Sequence, residues 1–184
     1  MLSRCSGETV SGLINTALSD VYGVKDLDGL LRQARSQAPA AGAVIALGET
    51  CHSGEICFAV EGALPATAIL RGVQARDRAH DAFGRLRVWD TAANNGVLVY
   101  LLLADHRIEI VADRGLSGLV SDAQWRGVCQ LIEERLRAGG HANESMADGV
   151  VAGIEAAGDL LAEHFPQDPG GVDEDELPNQ PVFL

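Results

Sequence analysis

The sequence holds a single lysine, Lys25, and only 14 Lys and Arg together against 26 Asp and Glu, a formal net charge of −12. A chain so short of cations repels phosphate backbones and anionic lipid heads, because binding to either depends on cationic side chains displacing counterions. Nucleic acid is therefore not an expected partner. Long apolar runs are also missing. The longest, residues 40–48 and 97–104, fall far below the roughly 18 residues that a bilayer-crossing helix needs, so no membrane insertion is expected. Nor do the first 25 residues carry the apolar stretch and small-residue cleavage site of a secretory leader. The four cysteines, Cys5, Cys51, Cys57 and Cys129, form no CxxC pair and no zinc spacing, which points to reduced thiols in a cytoplasm. Phosphate-cradling GxxxxGK(S/T) and GxGxxG loops are absent.

What remains is enough for one well-filled core: 184 residues, of which 47 % are hydrophobic and 22 % charged. Residues 26–37, with Leu27, Leu30, Leu31 and Ala34, read as a short amphipathic helix that Pro39 interrupts; the Ala-rich run 40–49 is a second helix or its continuation. Residues 55–61 alternate as a strand, and a helix from Pro65 to about Leu86 follows. Residues 97–103 are apolar without alternation, as expected of a central strand buried on both faces. The polar turn 104–107 and the alternating stretch 108–112 complete an antiparallel hairpin. Ser121 and Gln124 form a capping box ahead of a helix bearing Trp125, Val128, Ile132 and Leu136. Asn143 can cap a last helix, ended by Pro166, whose Gly149 and Gly153 suggest close packing on the sheet. Strand, long helix and strand in succession favour a right-handed parallel crossover, and hence an α/β fold.

That topology sets Glu55 and the loop from Asp90 to Gly96 at one end of the sheet, and the hairpin returns Asp113 and Arg114 to it. Glu55, Asp90 and Asp113, with the amides of Asn94 and Asn95 and with Ser53, would make an oxygen-rich rim. Hard oxygen donors without sulfur or clustered imidazole suit Ca²⁺ or Mg²⁺ over Zn²⁺. The plainer alternative is turn chemistry around Asn94–Asn95–Gly96 and a surface pair at Asp113 and Arg114. Arg71, Arg78 and Arg85, seven apart, lie along one face of the predicted 65–86 helix, as a solvated face or an anion site. Cys51–His52–Ser53 and the other scattered histidines do not by themselves orient a nucleophile toward a base.

Ser53–Gly54–Glu55–Ile56, Asn94–Asn95–Gly96–Val97, the stretch from Ala104 through Asp105 to Gly115, and the 149–165 helix together resemble the TPM domain family. The Arg87–Val88–Trp89–Asp90–Thr91 stretch and the ending from Glu176 through Pro178 to Leu184 resemble its soluble bacterial members without a transmembrane helix. The resemblance implies a three-layer α/β/α sandwich with a small mixed sheet. For some members it also implies divalent-metal binding and a proposed phosphatase activity. Glu55, Asn95, Asp113 and Arg114 match recurrent polar positions of the family, and Asp105 its turn aspartate.

The chain then divides into a partly helical extension (1–38), a TPM-like α/β domain (39–166) and an acidic tail (167–184). The tail carries five acids and no base; much of it is expected to be solvated, although the family resemblance suggests that its end docks. The expected function is a divalent-cation-binding accessory or interaction module with a protein partner. Glu55, Asp90, Asn95 and Asp113 would be the ligands. The alternative is a weak metal-dependent phosphatase using Glu55, Asp113 and Arg114.

Overall fold

A computed structural model of the chain describes residues 27–138, 143–167 and 175–184. Most of the amino-terminal extension with Cys5, the stretch with His141, and the acidic part of the tail through Glu174 lie outside the described residues. The elements run α1 (Leu27–Glu49), β1 (Ile56–Glu61), α2 (Ala66–Leu70), α3 (Ala75–Arg85), β2 (Val97–Leu102), β3 (Arg107–Ala112), a 3-10 turn (Arg114–Leu116), α4 (Asp122–Ala138), α5 (Asn143–His164) and β4 (Val182–Phe183).

The sheet has the order β3-β2-β1-β4. β1 and β2 are parallel with Ile56 opposite Val97, β2 and β3 are antiparallel, and β4 lies parallel to β1 with Val182 opposite Ala59. β2 is interior and buried along its whole length, as its unbroken apolar run requires. Alternation along the strands feeds two cores. Ile56, Phe58, Val60, Val97 and Val99 meet Ala41 and Ile45 of α1 and the apolar stripes of α4 and α5. Cys57, Ala59, Leu98, Tyr100 and Leu102 meet Ala79 and Ala82 of α3. Helices thus cover both faces, giving the α/β/α sandwich.

Four local expectations are corrected. α1 runs unbroken through Pro39: the ring removes one backbone donor, yet Ala34, Ala41 and Ile45, on both sides of it, share one buried stripe. The helix predicted for 65–86 is two helices. Gly72 takes a left-handed φ of 72° between them, and Gln74 with Asp77 forms a capping box that starts α3. Arg71 therefore shares no helix face with Arg78 and Arg85. Gly153 packs against α4 rather than the sheet, since a Cβ there would stand 2.2 Å from Ile132. Finally, the last residues of the tail supply a strand, so the sheet has one more strand than periodicity indicated.

Candidate functional site

The rim at the start of β1 and β2 is knitted together by backbone and amide groups. Asn94 adopts a left-handed φ of 54°, and its carbonyl accepts the Gly115 N–H at 2.9 Å. Asp113 N–H donates to the Gly96 carbonyl at 2.9 Å, and Asn95 Nδ2 to the Ser53 carbonyl at 2.7 Å. The approach is so close that only glycine fits at two positions. A Cβ on Gly96 would stand 2.0 Å from the Val88 oxygen, and one on Gly115 2.4 Å from the Asn94 oxygen.

Three of the predicted residues meet here. Asn95 is buried and its Oδ1 has no hydrogen-bond partner among the described residues; the same holds for Oδ2 of Asp113, whose Oδ1 accepts the Arg114 N–H at 2.7 Å. Arg114 donates through Nε to Asn94 Oδ1 at 2.8 Å. Two buried oxygens lacking donors are costly in a dry environment, and both are hard donors of the kind that Ca²⁺ or Mg²⁺ accepts. Asn95 and Asp113 thus fit a cation in donor chemistry. Among the described residues, however, no group of three or more His, Cys, Asp or Glu side chains could hold a metal.

The other two predicted ligands are engaged elsewhere. Glu55 is 2 % exposed, and its carboxylate accepts the backbone N–H groups of Glu176 (3.3 Å) and Leu177 (3.2 Å) from the tail. The Glu176 carboxylate in turn accepts the Ala92 N–H at 2.9 Å. Asp90 is exposed and pairs with Arg87 on its own loop.

A second polar cluster escaped the sequence reading. Glu61, 4 % exposed at the end of β1, accepts Arg78 Nε at 2.8 Å, Arg78 Nη2 at 3.0 Å and the Tyr100 hydroxyl at 2.7 Å. Burial, followed by the Glu61 hydrogen bond, pushes the Tyr100 phenol well above its usual range. The available signal was Tyr100 itself, since a phenol inside a strand buried on both faces needs a partner for its hydroxyl. Nearby, an open groove of about 520 Å³ lies between the Leu64–Ala75 segment and the β2–β3 turn, and Asp105 lines it. Burial raises the Asp105 carboxyl above its ordinary value, against the pull of Arg107 and His106.

Two of the three described thiols are poor nucleophiles. Burial pushes Cys57 and Cys129 up to about 11. Cys51 is exposed, whereas the neighbouring His52 is buried with its ring between Gly48 and Gly158.

Comparison with known proteins adds three findings. Residues 24–160 match the family model of the TPM domain. The NMR structure of the BA42 protein from the psychrophilic bacterium Bizionia argentinensis is similar, with 32 % identity and a TM-score of 0.68 over 81 % of this chain and 93 % of that one. No curated protein matches the sequence.

Proposed function

The chain belongs to the TPM domain family, and on that premise we propose that it is a cytoplasmic accessory or interaction module that binds Ca²⁺ or Mg²⁺ at the rim. The observation that carries this reading is the pair of buried oxygens without a partner among the described residues, Asn95 Oδ1 and Asp113 Oδ2, on segments joined by the Asp113–Gly96 backbone bond. These two side chains hold the cation. Glu55 and Asp90 are left out of the set because tail amides and Arg87 already occupy their oxygens. A bound cation would neutralise Asp113 and tie the 91–96 loop to the end of β3, which gives the rim a rigid face for a partner.

Titration calorimetry and thermal melts with each metal test this. A site of millimolar affinity would add about 1.4 kcal/mol of stability at ten times its Kd, and Asp113→Asn would abolish the gain. No heat and no shift with either metal would overturn the reading.

A phosphatase reading is favoured by one observation. Arg114 is held through Nε while its Nη groups have no hydrogen-bond partner among the described residues, a geometry open to an anion. When bound, the cation would polarise a phosphoryl oxygen; Arg114 would then orient the phosphate. Mg²⁺-dependent turnover lost in both Asp113→Asn and Arg114→Met would establish it, and turnover surviving both would dismiss it.

A further inference from the structure

The carboxy-terminal segment sits on the sheet as a peptide ligand would. Its register is set by a short parallel ladder, Val182 opposite Ala59 and Phe183 opposite Val60, extended by the Leu184 N–H on the Val60 carbonyl at 2.9 Å. Side chains alternate across the strand. Val182 and Leu184 join the α3-side core with buried Leu177, and Phe183 joins the opposite one beneath the Arg35 guanidinium, 4.3 Å from the ring centroid. At the near end Glu55 accepts two of the segment's N–H groups, and Glu176 returns a carboxylate to Ala92. Gly42 of α1 leaves room for the Asn179 carbonyl, from which a Cβ would be 3.0 Å. These contacts read a specific sequence, and all of them are made by residues 175–184.

We propose that the outer edge of β1 is a strand-addition site that takes residues 175–184 of a second copy of this chain, so that two chains associate by exchanging the segment. The occupant is fixed by the groove itself, which is already complementary to this segment, and exchange repeats each contact without new ones. The opposite edge of the sheet is unsuited to the role, because Arg76 caps the outward Ile110 carbonyl of β3. Balance between the closed chain and the exchanged pair is set by effective concentration, which is in the millimolar range for short tethers. Blocking closure in both chains should shift association far below that.

The test uses full-length chains in complementary pairs. Leu177→Asp spoils the segment and leaves the groove; Gly42→Leu fills the groove and leaves the segment. Sedimentation of each variant alone should give monomers, and an equimolar mixture at about 100 μM should give a one-to-one dimer, a gain of at least about tenfold over either alone. The milder pair Phe183→Ala and Gly42→Ser covers loss of folding, which circular dichroism checks. A mixture that stays monomeric with folded chains overturns the proposal, as does equal association of either variant by itself.

Discussion

At the β3 edge the outward carbonyl of Ile110 accepts the Arg76 guanidinium, Glu109 stands between Arg76 (3.7 Å) and Arg107 (4.0 Å), and Cys129 of α4 meets the Ile110 backbone. At the β1 edge the cover is a piece of main chain, the two-residue β4, anchored by Leu177 and by the Glu55 carboxylate. Both devices satisfy backbone groups that would otherwise invite another strand. They differ in reversibility. Side chains on α3 and α4 stay beside their edge whatever their rotamer, whereas removal of β4 would expose a complete groove along β1. One edge of this molecule is capped by side chains and the other is covered by main chain.

The largest test of that contrast lies between the edges. Glu61→Ala leaves the Arg78 guanidinium and the Tyr100 hydroxyl without their shared carboxylate, and should cost about 3 kcal/mol in urea unfolding. Because Arg78 belongs to α3, this loss should be global, with little selective opening at either edge. Leu177→Ala should cost less, about 2 kcal/mol, and should act locally. Amide exchange should accelerate at Leu177 and Leu184 while the β2–β3 ladder stays protected; equal acceleration at both edges would break the comparison. Arg76→Met should cost only about 0.5 kcal/mol, since the side chain is half exposed, but should raise concentration-dependent self-association through β3, visible by light scattering.

The smallest effect is a pH dependence at the β2–β3 turn. The Asp105 carboxyl is raised by burial, so the folded state holds its proton more tightly than the unfolded chain does. Its contribution is present below the ordinary value of 3.8 and is lost as the pH rises through the folded value. Asp105→Asn should therefore match the parent at low pH and melt slightly higher at pH 7. A lower melting point there would reverse the assigned sign.

Much of the frame was legible in the chain. The unalternating run 97–103 marked the central strand, observed at Val97–Leu102, and the interval between it and residues 55–61 marked the parallel crossover that pairs β1 with β2. The Ser121–Gln124 capping box forms as read, with Ser121 N–H on Gln124 Oε1 at 2.9 Å and Gln124 N–H on Ser121 Oγ at 3.3 Å. The rim was legible in part: Asn95, Asp113 and Arg114 are gathered by the hairpin, as their positions at strand ends dictate. Glu55 and Asp90 were placed near the same end, but their partners were not foreseen. Asp90 pairs with Arg87, at i−3 in an irregular loop that no periodicity describes. Glu55 meets backbone more than a hundred residues away, and a backbone N–H carries no residue type to search for.

No helix among the described residues is long and apolar enough to cross a membrane. Local rules succeeded where the decisive interaction spans a few residues, as in the alternation of 108–112 and the Ser121–Gln124 cap. Packing overrode those rules where a buried stripe outweighed one lost donor, as at Pro39, or where a short segment gained its stability from a groove built by other elements, as in β4. Sequence alone thus determined the class of fold, the order of its central strands and the oxygen-rich chemistry of one end. Only the tertiary structure decided which of those oxygens stay without partners and that the acidic tail ends as a strand. Both depend on which distant backbone groups arrive at hydrogen-bonding distance, and that is fixed by the assembled fold and not by any stretch of residues within it.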